Sequence, residues 1–331
     1  MNNEQSKLYP LIFTPILKER IWGGEKMQTV LGKNTKMQHC GESWELSGVA
    51  GDVSVVNNGF LKGNNLQELI EVYMGDLVGE KVYDRFGLEF PVLIKFIDAQ
   101  DDLSIQVHPD DDMAKEKHGA YGKTEMWYVM EAAANSNIIV GFNQEMNRKK
   151  YVKALNDKKL KDFLNFEKVD AGDCFFIPAG RIHAIGKDIL LAEIQQTSDV
   201  TYRIYDWDRV DESNKPRELH TELAVDAIDY KLYEEYKTPY KKPLQGTVEL
   251  VNCPYFTTNL VCLDKPVVKN YGNLDSFVIY ICTAGDCFIV WGTNESMKIS
   301  KGNTILIPAV FDEIQVIPSE TVELLEVMKS F

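Results

Sequence analysis

The sequence predicts a mainly β chain, built as two antiparallel jelly-roll barrels in tandem with a few short helices. Three observations carry this. Short segments rich in β-branched and aromatic residues recur along the chain, and Gly, Asn or Asp separates several of them. The phrase "GDCFFIPAGRIHAIG" at 172–186 returns near the C-terminus as "GNTILIPAVFDEIQV" at 302–316, but Glu313 stands where the first copy has His183. The flanking apolar pattern repeats as well: "MWYVMEAAANSNIIVGF" is echoed by "SFVIYICTAGDCFIVWG". Self-similarity of this kind marks a duplicated unit, and many short strands per unit mark barrels or jelly rolls.

Taken in order, strands are expected in "DVSVVNNG" (52–59), "FPVLIKFIDA" (90–99), "LSIQVHP" (103–109), "EMWYVMEA" (125–132), "SNIIVGF" (136–142), "DCFFIPA" (173–179), "ILLAEIQQT" (189–197) and "TYRIYDW" (201–207). "NNLQELIEVY" reads as a helix, with Leu66, Leu69, Ile70 and Tyr73 on one face and Asn65 and Glu68 spaced as a capping box. "NRKKYVKALNDKKLKDFLN" (147–165) has helical spacing, and "KPRELHTELAVDAIDY" (215–230) starts with Pro216 where a helix tolerates proline. The charged, proline-bearing segment 233–245 reads as a linker. This divides the chain into an N-terminal domain with helical insertions, 1–240, and a C-terminal domain, 241–331.

The chain has 331 residues, 44% of them apolar, and a formal charge of −14. That charge argues against nucleic acid or an anionic membrane as partner, and a small anionic substrate would need its own cluster of Lys and Arg. No apolar run approaches a membrane span, and the first residues lack a basic region followed by a long apolar core. The six scattered cysteines read as buried free thiols. A cytoplasmic protein is expected, monomeric or weakly homo-oligomeric.

One constellation points to chemistry. Gln106 and His108 lie two apart on a strand and so face the same side. Glu125 begins another strand, and His183 lies in the repeated phrase. Gln, His, Glu and His converging from several strands can hold a divalent cation through N and O ligands and leave room for water or substrate. The last histidine is His220, so the C-terminal copy has no imidazole to offer. His39, His118 and His220 have no matching partners and read as structural or surface residues.

Gly-x5-Pro-x-Gly-x2-His resembles the second motif of the cupin superfamily. Further stretches are similar to the type I mannose-6-phosphate isomerases in their short bacterial form: "IWGG" (21–24), "GESWELSG" (41–48), "PVLIKFIDAQDDLSIQVHPDD" (91–111), "GKTEMWY" (122–128), "LLAEIQQTSDVTYRIYDW" (190–207) and "RELHTELAVDAID" (217–229). The resemblance implies cupin-type barrels and one zinc per chain, Zn2+, bound by Gln106, His108, Glu125 and His183. It places the family's arginine at Arg203, site lysines at Lys123 and Lys95, a serine at Ser104, an acidic residue at Glu193, and the Ser-Asp pair at Ser198 and Asp199. The long helical insertion of larger members is reduced here to 146–165.

The implied reaction interconverts mannose 6-phosphate and fructose 6-phosphate through a cis-enediol. Charge builds on oxygen as a proton leaves the carbon beside the carbonyl, and a metal with a fixed cation stabilises it. In this reading Arg203 serves that charge, Lys123, Lys95 and Ser104 meet phosphate or sugar oxygens, and the proton moves through Glu193, Lys123, Asp199 or water held at the metal. The competing readings are a cupin oxygenase with redox-active iron and a non-catalytic sugar-binding cupin. The Gln ligand and the sugar-phosphate motifs count against the first. The retention of every ligand and the arginine counts against the second.

Overall fold

The computed structural model describes residues 8–210, 214–293 and 295–331. The first seven residues, part of the N-terminal stretch read above for targeting, lie outside the described residues. Strands dominate, in three antiparallel sheets. A six-stranded sheet runs in the order Ile16–Gly24, Cys40–Leu46, Val92–Ala99, Ile189–Gln196, Glu125–Ala132, Cys174–Ile177. A five-stranded sheet runs Tyr202–Tyr205, Ile105–Val107, His183–Ile185, Asn137–Phe142, Leu164–Lys168. The remaining strands, from Gly246–Asn252 to Glu313–Met328, form the third sheet.

The six-stranded sheet is buried on both faces, which explains why Val92–Ala99 and Ile189–Gln196 are buried at every position. Ile97, Trp127, Val129 and Leu191 pack toward Ile138, Val140 and Ile185 of the five-stranded sheet. On the other face Ile94, Phe96, Tyr128 and Ala192 share a core with Leu66, Leu69, Leu260 and Ile279. Strands buried on both sides read as unbroken apolar runs rather than as alternation. The repeated phrase makes the same pairing twice: Cys174–Ile177 pairs with Glu125–Ala132, and Thr304–Ile307 pairs with Val278–Trp291.

Local readings hold where short-range chemistry decides them. The helix Leu66–Val78 begins at a complete Asn65/Glu68 capping box. All six cysteines are free, and all but Cys253 are buried. Three local readings need correction. Val55 and Val56, in the 52–59 segment, make only isolated bridges, to Asn65 and Phe13. The helix expected over 147–165 ends at Asn156, because Lys158 takes a left-handed φ of 56°. The chain then re-enters a sheet at Leu164–Lys168. The helix expected from Pro216 begins only at Thr221. Pro216 instead bridges Val210, and His220 donates its backbone N–H to Arg203 O on the Tyr202–Tyr205 strand, so these backbone groups find partners outside a helix. The segment 233–245 connects the helix Thr221–Ala227 to the strand Gly246–Asn252, and within it Tyr236 is buried and its hydroxyl donates to Phe142 O at 2.8 Å. Among the described residues no helix is long and apolar enough to cross a membrane.

Candidate active site

The two inner sheets bring the four expected ligands to one place. Gln106 and His183 are register partners across adjacent strands, and their Nε2 atoms lie 3.2 Å apart. His108 follows the Ile105–Val107 strand, and Glu125 opens its strand in the facing sheet. Oε2 of Glu125 is 3.6 Å from His108 Nε2, and Oε1 is 3.5 Å from His183 Nε2. Ligand atoms of His108, Glu125 and His183 all lie within 4.8 Å of one another.

Each imidazole is fixed from behind. His108 Nδ1 donates to Val200 O at 2.9 Å, and His183 Nδ1 donates to Arg181 O at 2.8 Å. A carbonyl can only accept, so both Nε2 atoms carry lone pairs directed at the cluster. Burial holds both rings neutral, with His183 lowered to about 3 and His108 well below its ordinary value. Burial also raises the Glu125 carboxyl, against the pull of Lys123. Lys123 Nζ is 2.9 Å from Glu125 Oε2 and 3.2 Å from His108 Nε2, yet neither Glu125 oxygen makes a well-directed hydrogen bond. A fully buried carboxylate with undirected oxygens, beside two neutral imidazoles and a carboxamide, is a donor set that fits a divalent cation.

Beside the cluster opens a cavity of about 550 Å³, an ordinary size for a small-molecule site. Gln106, Lys123, Lys95, Ser104, Glu193, Asp199 and Arg203 all line it, so every expected site residue outside the buried His-Glu-His cluster meets this one space. Ser104 Oγ is 3.5 Å from Gln106 Oε1. Glu193 takes Lys95 Nζ at 3.1 Å on one oxygen and the Trp127 indole N–H at 2.8 Å on the other. Burial would raise this carboxyl, but Lys95 and Lys123 outweigh it and hold Glu193 below the usual range.

Charge in the cavity departs from that of the chain. Lys18, Arg20, Lys95, Lys123, Arg203 and Arg217 line it against Glu42, Asp52, Glu193 and Asp199. Among the described residues, Arg203 alone of these cations has no carboxylate partner. Lys18 pairs with Asp52, Arg20 with Glu42, Lys95 with Glu193, Lys123 with Glu125, and Arg217 with Asp206. Arg203 donates to Glu218 O at 3.0 Å, and its buried Nε has no hydrogen-bond partner.

Known proteins share this arrangement of strands. The catalytic-domain model of type I phosphomannose isomerase matches residues 11–153. Mannose-6-phosphate isomerase of Streptococcus mutans serotype c is 38% identical over 301 residues, covering 90% of this chain and 92% of that relative. The chain belongs to the type I mannose-6-phosphate isomerase family. Mannose-6-phosphate isomerase ManA of Bacillus subtilis is 39% identical over 251 residues, covering 75% of this chain and 78% of the relative. The crystal structure of the mannose 6-phosphate isomerase from Bacillus subtilis matches with a TM-score of 0.88 at 31% identity, over 97% of this chain and 99% of that one.

Several residues of this family member escaped the sequence reading. Lys18, Arg20 and Trp22 alternate along the Ile16–Gly24 strand and face the cavity together, a period-two signal hidden by its charged residues. Trp44 lies between Lys18 and Lys95, 4.9 and 5.0 Å from their ammonium groups, and donates to Glu42. Trp22, Glu42 and Trp44 fall within stretches that carry the resemblance, but nothing local assigned them a role. His39 and His118 lie outside the cluster, on Gly23 O at 3.2 Å and Tyr202 OH at 2.8 Å.

Proposed function

We propose that this isomerase interconverts mannose 6-phosphate and fructose 6-phosphate through a cis-enediol, with one zinc per chain held by Gln106, His108, Glu125 and His183. The observation that carries the reading is Glu125: a buried carboxylate with undirected oxygens between two back-bonded imidazoles, beside a cavity in which Arg203 has no counter-ion among the described residues. When bound, the zinc supplies a Lewis acid that draws electron density from the substrate oxygens, with no redox chemistry of its own.

The chain's own residues supply the rest. Arg203 offers a planar guanidinium to the oxygen that gains charge as the proton leaves carbon 2. Lys123, buried and kept protonated by Glu125 and Glu193 against the cost of burial, holds positive charge next to the ligands. With both oxygens engaged, Glu193 is placed to hold Lys95 and the Trp127 indole in position. Ser104, Lys95 and Asp199 bind the sugar and its phosphate. The proton is carried from carbon 2 to carbon 1 by Glu193, Lys123, Asp199 or water, and a second proton passes from the oxygen on carbon 2 to that on carbon 1, so the carbonyl moves to carbon 2 without net oxidation. Residues 1–240 form the catalytic domain in this reading, and residues 241–331 form a domain that binds no metal.

The test is a coupled assay from mannose 6-phosphate on zinc-loaded protein, with deuterium exchange at carbon 2 and anomalous scattering at the zinc edge on the same preparation. Turnover with exchange supports the reading. Zinc-loaded protein that binds the sugar phosphate without turnover would be the non-catalytic cupin.

A further inference from the structure

Arg203 sits on the Tyr202–Tyr205 strand, at one edge of the five-stranded sheet. Its register partner on the inner side is Gln106, one of the four residues at the cluster. Its backbone groups turn the other way. His220 N–H donates to Arg203 O at 2.7 Å, and Arg203 N–H donates to His220 Nδ1 at 3.2 Å. Arg203 thus exchanges two hydrogen bonds with one residue, as paired strand residues do, except that a ring nitrogen stands in for a carbonyl. The same short segment takes the side chain, through Arg203 Nη1 to Glu218 O at 3.0 Å.

We propose that His220 is a positioning residue for Arg203: its imidazole closes the strand edge at that single residue and fixes where the guanidinium points in the cavity. The inference rests on the reading of Arg203 as the cation that meets developing charge. The physical reason is leverage. Three bonds from residues 218–220 hold both ends of Arg203, and among the described residues its guanidinium has no ion pair to hold it otherwise. Small displacements of such a group are costly, because its contact is made to an oxygen at a defined place. His220 is only half-buried, so water can take over the freed N–H without unfolding the chain.

The experiment compares His220→Ala, His220→Asn, Arg203→Ala and the double variant His220→Ala/Arg203→Ala, with kcat, KM and zinc content measured for each. His220→Ala is expected to lower kcat about tenfold, the order of one lost hydrogen bond, with KM and zinc content near wild type. His220→Asn, whose amide oxygen can accept the same N–H, should recover most of the loss. In the Arg203→Ala background, removing the imidazole should change nothing further. Additive losses, or an Asn variant no better than Ala, would overturn the proposal. An Arg203→Ala enzyme with undiminished kcat would instead remove the reading of Arg203 on which it stands.

Discussion

Gln106 and His183, 77 residues apart in sequence, face each other directly across neighbouring strands, with their Nε2 atoms 3.2 Å apart. Strand pairing alone fixes this contact, and Glu125 closes it from the facing sheet. A half-turn of the Gln106 carboxamide presents its oxygen at the same place as its nitrogen. The site therefore combines two imidazoles held rigidly from behind with one adjustable neutral donor.

Loss of a ligand should remove metal and activity together. His183→Ala and Glu125→Ala are expected to purify with little zinc and to be inactive, because a site with four ligands does not keep its geometry with three. Elemental analysis beside the coupled assay checks this. Wild-type protein should carry close to one zinc, lose activity to a chelator and regain it with added zinc.

Glu313→Ala should leave both properties nearly intact. Glu313 is exposed and sits opposite Asn270 in register, far from any imidazole in sequence. Among the described residues the His108, Glu125 and His183 group is the one metal-ligating cluster found. A large fall in turnover would give the C-terminal copy a part in the reaction.

Free mannose should react far more slowly than its 6-phosphate at equal concentration. The cavity gathers cations in a chain of charge −14, and binding of the non-reacting phosphate can be used to hold the carbonyl in place. Arg203→Ala is expected to lower kcat by about a hundredfold, the scale for removing one stabiliser of developing charge, with a smaller change in KM. Steady-state kinetics on both sugars measures this.

Lys33→Met should destabilise the fold by about 3 kcal/mol, the cost of breaking a buried pair from one side. Lys33 Nζ meets Glu45 Oε2 and Gly302 O, both at 2.6 Å, so it ties the N-terminal strands to the C-terminal sheet. Replacing Glu45 as well, by Leu, should recover part of the loss, because no buried charge is then left alone. Urea unfolding of the single and double variants tests it.

Acid should weaken the C-terminal sheet through Glu326. Burial would raise its carboxyl, but Lys269 and the Tyr271 and Asn259 donors outweigh that and hold it below the usual range. A carboxyl depressed in the folded state gives stability above its unfolded value of about 4.3 and loses it as pH falls through the folded value. Glu326→Gln should therefore cost most at neutral pH and progressively less below pH about 4. An equal cost at both ends of a urea series would assign the effect to packing rather than charge.

The sequence by itself determined what depends on local pattern. It specified the strand-rich composition, the duplicated phrase, the Asn65/Glu68 cap, and a Gln-x-His pair that strand periodicity places on one face. It also determined that the second copy has no imidazole. Through the resemblance it nominated the residues of the cluster and some of those that line the cavity. The tertiary structure decided what depends on pairing between distant segments. The Ile16–Gly24 and Cys40–Leu46 strands were not legible, since charged residues break the apolar signal, and Lys18, Arg20 and Glu42 among them face the cavity. Pro216 favours a helix start locally, but it bridges Val210, and the free edge of the Tyr202–Tyr205 strand takes the His220 N–H at Arg203 O. That competition turned His220 from an isolated histidine in sequence into the partner of Arg203, because an unpaired strand edge must find its donors and acceptors somewhere.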